Sequence, residues 1–209
     1  FHLGDGGAPD GAKLLSEESL RQMRSAQVSV GKDEYRGLAW RIDDRDGVRE
    51  ISHGGGTVGQ VSLLSFVPEY DFALVVLTNH DNGGAATEAI NREAWRLFLG
   101  RTVTMPQAQE MADDELAAYA GLYSRPYADL ELGFLAGKLI GQVVYREGFP
   151  SKNEQPKPAP PPATLQQCAR DRLIVVDGPM QGKTIDVIRH SDGRIGWLRF
   201  SGRLHVRKD

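Results

Sequence analysis

Two apolar runs, Val61-Ser62-Leu63-Leu64-Ser65-Phe66-Val67 and Phe72-Ala73-Leu74-Val75-Val76-Leu77-Thr78-Asn79, stand either side of Pro68-Glu69-Tyr70-Asp71. Short apolar runs bounded by turn residues predict buried strands joined by a turn. Upstream, Tyr35-Arg36-Gly37-Leu38-Ala39-Trp40 alternates like a strand, Asp43-Asp44-Arg45-Asp46-Gly47 reads as a turn, and Val48-Arg49-Glu50-Ile51-Ser52 reads as the strand that returns. Between that strand and Val61 lies His53-Gly54-Gly55-Gly56-Thr57-Val58-Gly59-Gln60. The predicted order is strand, glycine run, strand, turn, strand.

Helical spacing appears on both sides of this block. Leu15-Ser16-Glu17-Glu18-Ser19-Leu20 predicts a helix start, with Ser16 as cap, acidic residues in the first turn and Leu15 able to staple against Leu20. A short helix to about Arg24 follows. Ala86, Ile90, Ala94 and Leu97 recur at helical intervals, so Ala85 to Leu99 is expected to pack an amphipathic face on the sheet and stop at Gly100.

The pattern changes after Thr104. Arg101 to Asp113 reads as a linker and Asp113 to Tyr119 as a capped helical turn. Short strands then follow at 121–123, 128–132, 138–144, 173–176, 185–188, 195–198 and 204–206, which is the spacing of an antiparallel barrel. Residues 151–162 are proline-rich and polar, so they read as an extended loop between strands, with a recognition peptide as the alternative. Tyr123, Tyr127, Phe134, Tyr145, Phe149 and Trp197 could line a cavity, but side chains often fill a barrel of about eight strands, so core packing is expected. In the last hairpin Arg194, Arg199, Arg203, Arg207 and Lys208 alternate with Trp197, Phe200, Leu204 and Val206, which suggests a solvent-facing barrel side more than a surface for an anion or nucleic acid. The chain therefore divides at 1–104 and 105–209.

Composition sets limits on function. The chain has 209 residues, 40% of them hydrophobic and 25% charged, and a net charge of -3, which argues against nucleic-acid or anionic-membrane partners. No transmembrane run is present. Cys168 is the single cysteine, so no internal disulfide forms and the redox compartment stays open. His2, His53, His80, His190 and His205 show no metal-ligand pairing, so no metal and no cofactor is expected. Gly178-Pro179-Met180-Gln181-Gly182-Lys183-Thr184 is one residue short of a phosphate-binding loop.

The glycine run carries the chemistry. Glycines here let a substrate lie along a strand edge, and a preorganised amide can stabilise a developing oxyanion by about 3 kcal/mol. The plain alternative is a glycine-rich hairpin end with a surface histidine. Tyr-x-Gly-Leu-x-Trp at 35–40, His-Gly-Gly-Gly-Thr-x-Gly at 53–59 and Val-Val-Leu-Thr-Asn at 75–79 together resemble the C-terminal half of the penicillin-recognising serine hydrolases, which include class C β-lactamases, DD-peptidases and esterases. Tyr119-Ala120-Gly121-Leu122-Tyr123 and Asp192-Gly193-Arg194-Ile195-Gly196-Trp197 are similar to the lipocalin-like domain appended to many of them.

The resemblance implies an α+β fold: a partial antiparallel sheet with flanking helices, the last three strands of a five-stranded sheet, followed by a lipocalin-like antiparallel β-barrel. It implies His53-Gly54-Gly55 as the third family motif, Gly56 as an oxyanion donor, His53 as a contact to the nucleophile region or a substrate carboxylate, and Gly54, Gly55 and Thr57 along the substrate. In the family a Ser-x-x-Lys nucleophile opens a helix far upstream. Ser29-Val30-Gly31-Lys32 matches by letters but lies in an apparent loop only 20 residues before His53, and Ser151-Lys152-Asn153 follows the glycine run instead of preceding it.

The nucleophile is therefore expected outside this chain, whose first residues, Phe1 to Gly6, resemble the helix end and loop after the family's second motif. The expected function is that of a C-terminal fragment of a serine hydrolase acting on an ester, amide, peptide or β-lactam, inactive alone. Its expected partners are the missing N-terminal half, a small acyl substrate in the parent, and a second copy of itself through uncovered apolar surface. The alternative function is a non-catalytic lipocalin-like module for ligand binding or oligomerisation. Relatives are often exported, but these residues assign no compartment.

Overall fold

The computed structural model describes residues 6–45, 47–57, 59–148 and 151–208. Phe1-His2-Leu3-Gly4-Asp5, Asp46 of the first predicted turn, Val58 of the glycine run and Phe149 lie outside the described residues. The chain forms two compact units, Phe1–Thr104 and Met105–Asp209.

In the first unit, α1 (Glu17–Arg24) starts where its cap dictates: Ser16 accepts from the Ser19 amide at 3.1 Å. Six strands follow as an antiparallel meander, β1 (Val28–Gly31), β2 (Glu34–Arg36), β3 (Arg41–Arg45), β4 (Val48–Thr57), β5 (Gln60–Val67) and β6 (Phe72–Thr78). The expected three-strand block is β4 to β6. Three shorter strands extend it, because Tyr35 to Trp40 is not one strand: Gly37 N–H donates to the Trp40 carbonyl at 2.9 Å, folding the chain back, and the acidic stretch read as a turn enters β3. Helix α2 (Gly83–Leu99) ends at left-handed Gly100, as predicted.

The buried face of α2 differs from the expected one. Thr87, Asn91, Ala94 and Trp95 are buried, while Ala86, Ile90 and Leu97 are exposed. The reason lies in the sheet, where Glu50 is only 2% exposed and its carboxylate Oε1 accepts from Ser65 Oγ and Asn91 Nδ2, both at 2.6 Å. A buried carboxylate needs donors, so the polar side of α2 turns inward. Asp43, in register with Glu50, is equally buried, and Arg45 reaches both acids, at 3.8 Å from Asp43 and 3.4 Å from Glu50. Arg41 Nε lies 2.8 Å from Asp43 without the alignment of a hydrogen bond. Beside this network Trp95 packs with Val48 and Val67.

In the second unit, α3 (Asp113–Ala117) precedes β7 (Gly121–Ser124), β8 (Ala128–Leu135), β9 (Lys138–Tyr145), β10 (Ala163–Ala169), β11 (Arg172–Val175), β12 (Thr184–Arg189), β13 (Ile195–Phe200) and β14 (Arg203–Lys208). They form a closed antiparallel barrel in which β9 pairs with β10 and β14 returns to β7. The sequence reading missed β10, whose alternation begins directly after Pro162. The interior is filled: Tyr123, Leu139, Leu173 and Leu198 are fully buried in one core, and Tyr127, Phe134 and Tyr145 pack against it.

The Tyr-x-Gly-x-Tyr stretch has a structural role. Tyr123 donates to the Tyr119 carbonyl at 2.8 Å, and the Arg207 guanidinium donates to the Ala118 and Ala120 carbonyls beside Gly121. On β14, Arg203, Leu204 and Val206 are exposed, His205 is buried and Arg207 is partly buried, so apolar as well as basic side chains of this hairpin face solvent. Positions 178–184 form a loop folded on itself, with Gly182 N–H donating to the Val175 carbonyl at 2.8 Å. Residues 151–162 contain no helix or strand, and Gln142 Nε2 holds them through the Pro160 carbonyl at 3.1 Å.

Candidate functional site

Strand β4 is longer than its neighbour on one side, and that mismatch builds the site. β3 pairs with β4 from Arg45 opposite Val48 to Arg41 opposite Ser52, whereas β5 pairs as far as Thr57 opposite Gln60. His53, Gly54, Gly55, Gly56 and Thr57 are therefore paired through β5 alone, and all five are exposed. Both hairpins close through two intervening residues, so the flanking residues exchange bonds and the pattern alternates from there. Ser52 bonds toward β3, and Thr57, Gly55 and His53 bond toward β5. The N–H and C=O groups of Gly54 and Gly56 consequently point out of the open edge.

Sterics separate the three glycines. A Cβ on Gly55 would stand 2.5 Å from Ser62 Oγ, so its own sheet excludes a side chain there. The corresponding contacts are 3.7 Å at Gly54 and 3.9 Å at Gly56, ordinary van der Waals distances. Among the described residues, nothing within the chain requires glycine at these two positions.

The His53 side chain lies on the sheet face away from α2, in a cross-strand row with Leu64 and Val75; Gly55, Ser62 and Leu77 form the next row. Trp40 sits at the corner where β3 turns away. Its ring meets His53 edge-on at 6.4 Å and Phe66 at 5.2 Å. Val75 and Leu77 are 62% and 77% exposed, so this face carries an uncovered apolar strip beside the histidine. The hairpin tip is held from outside the motif, because Gly59 N–H donates to Asp81 at 2.8 Å and Thr78 Oγ1 donates to the Val61 carbonyl at 2.9 Å. Asp81 and Ser62 were not singled out from sequence. No periodic pattern links Asp81 to a glycine 22 residues earlier.

Ser29 lies in β1 with its hydroxyl donating to the Gly31 carbonyl at 3.2 Å, and Lys32 follows in a turn. Ser151 starts the proline-rich segment and accepts from Asn153 N–H at 3.2 Å. Neither opens a helix.

The beta-lactamase family model matches residues 1–97. Penicillin-binding protein 4 of Amycolatopsis lactamdurans is 36% identical over 137 residues, covering 60% of this chain and 35% of that protein. The solved structure of SurE with D-Leu superposes on 93% of this chain and 44% of its own, with TM-score 0.61 at 20% identity. This chain has a β-lactamase-related fold with a C-terminal barrel. A second SurE structure gives TM-score 0.60 at 18% identity. The β-lactamase-related unit carries the glycine run, and the barrel is lipocalin-like. The chain spans about a third of the curated relative's length. No helix among the described residues is long and apolar enough to cross a membrane.

Proposed function

We propose that the β-lactamase-related unit is the oxyanion and substrate side of an acyl-transfer site, within a serine hydrolase whose Ser-x-x-Lys nucleophile lies outside these residues. The observation that carries this reading is the one-sided pairing of His53 to Thr57, which leaves the Gly54 and Gly56 peptide groups free at an edge. An acyl substrate laid there as an added strand bonds Gly54, and its carbonyl oxygen receives the Gly56 amide as charge develops. His53, at the start of the edge and beside Trp40, contacts the nucleophile region or a substrate carboxylate. Gly55 and Thr57 complete the substrate wall.

The strip of Val75 and Leu77 on the same face as His53 is where the nucleophile-bearing segment docks, since exposed apolar rows beside an open strand edge invite a partner. Without that segment the chain is inactive, and the strip favours contact with a second copy. The filled barrel interior does not support a lipocalin-like ligand enclosed at the barrel's centre.

The test is intact-mass detection of acylation by a fluorophosphonate or penicillin, on this chain alone and with an N-terminal Ser-x-x-Lys segment added in trans. Labelling of the added segment alone is expected, and Gly56→Val should slow it about 100-fold. Labelling of this chain at Ser29, or full activity in the Gly56→Val variant, would refute the assignment.

A further inference from the structure

We propose that the end of the barrel framed by Arg125, Tyr127, Tyr145, Arg203 and His205 binds a small oxyanion, a carboxylate or phosphate group. The register of β7 and β14 assembles it. Val206 stands opposite Ser124 and Arg207 opposite Tyr123, so the next step brings His205 across from Arg125, whose Nε donates to His205 Nε2 at 3.2 Å. Arg203 lies two residues away on the same side of β14, paired with Phe200. The turn after β7 is closed by Arg125 N–H donating to the Ala128 carbonyl at 3.2 Å, and Arg146 N–H donates to the Tyr127 carbonyl at 3.1 Å. The Arg125 guanidinium stands 5.1 Å from the Tyr127 ring centre, and the Tyr127 and Tyr145 rings are 5.6 Å apart.

The charges at this end do not balance. Asp129 accepts from Ser124 Oγ at 2.5 Å and pairs with Arg146 at 3.3 Å, while Glu147 pairs with Lys152 at 3.2 Å. Among the described residues neither Arg125 nor Arg203 has a carboxylate partner. Burial and then the nearby Arg203 charge lower the Arg125 pKa, against smaller opposing contributions from Tyr127 and Tyr145. Arg125 commits only its Nε to His205, which leaves the Nη groups of a planar fork free, and such a fork suits carboxylate or phosphate oxygens. His205 is 3% exposed and accepts at Nε2, so it adds an orienting contact to Arg125 without adding charge. The packed interior, with Leu198 fully buried opposite His205, confines the ligand to the mouth and to a small group.

The experiment is NMR titration of the full chain with sodium phosphate and, separately, sodium acetate, following the His205 ring signals at constant ionic strength against sodium chloride. A saturable shift with one or both oxyanions is expected, and Arg203→Gln should weaken it at least fivefold while circular dichroism stays unchanged. A response to phosphate alone identifies a phosphoryl ligand, and to acetate alone a carboxylate. Shifts no larger than with chloride, or equal shifts in the Arg203→Gln variant, would overturn the proposal. Arg125→Gln provides a second arm: retained saturable binding in that folded variant would equally exclude the site.

Discussion

Asp43 and Glu50 are neighbours on one sheet face with opposite expected responses to substitution. Burial raises the Asp43 pKa, although the Arg41 and Arg45 charges oppose it. A raised carboxyl pKa means that the folded state holds the proton more tightly than the unfolded chain. The contribution of Asp43 is thus greatest below its ordinary value of 3.8 and is lost as pH rises through the raised one. Asp43→Asn should leave stability at pH 7 unchanged or raise it by about 1 kcal/mol, and flatten the acid side of a urea-denaturation profile. Glu50→Ala strands the Ser65 hydroxyl and Asn91 amide in the interior, and should cost about 3 to 5 kcal/mol in the same assay. His205 gives the reverse pH sign. Burial, then the Arg125 charge, lowers its pKa, with opposing contributions from the Arg203 and Leu198 carbonyls and from Asp129. The unfolded chain binds the proton more readily, so barrel stability is full above pH 6.5 and falls as pH drops toward the lowered value. His205→Asn should remove that slope from melting temperatures measured between pH 7 and 5.

At the level of elements, the start of α2 has little freedom. A Cβ on Gly83 would stand 1.9 Å from Thr78 Oγ1 and 2.7 Å from Thr78 Cβ, and Thr78 is bonded across to β5. Gly83→Ala should therefore cost about 1 to 3 kcal/mol in thermal melts, whereas Gly84→Ala, with open space around it, should not destabilise. This junction also shows where sequence reading reached its limit. The apolar runs of β5 and β6, the Ser16 cap and the Gly100 stop were legible because each rests on local chemistry. The rotation of α2 was not, since a stripe of Ala86, Ile90 and Leu97 gives no sign that Glu50, 41 residues before Asn91, needs a donor. Strand β10 was hidden by the prolines that precede it, whereas β14 was legible at 204–206 but not which of its faces is buried, since Arg207 turns its charge to the Ala118 carbonyl. The glycine run was visible as letters, but its open edge depends on where β3 stops, which alternation does not encode.

For the molecule as a whole, the exposed faces set behaviour in solution. Val75 and Leu77 on β6, with Ile90, Leu97 and Phe98 on α2, place apolar surface on both sides of the first unit. Val75→Ser with Leu77→Ser should shift sedimentation toward the monomer with little change in melting temperature, because these side chains contribute little to the core. The two units also differ in how far apart in sequence their contacts lie. Neighbours in the six-stranded sheet are consecutive in the chain, but the barrel closes only when β14 joins β7, and Arg207 reaches the Ala118 carbonyl across 89 positions. On the ribosome the sheet can therefore form as its hairpins emerge, while β7 to β13 must wait with β7's outer edge unpaired until β14 is synthesised. The arginine that braces the barrel's first corner can therefore act only after the last strand has closed the domain.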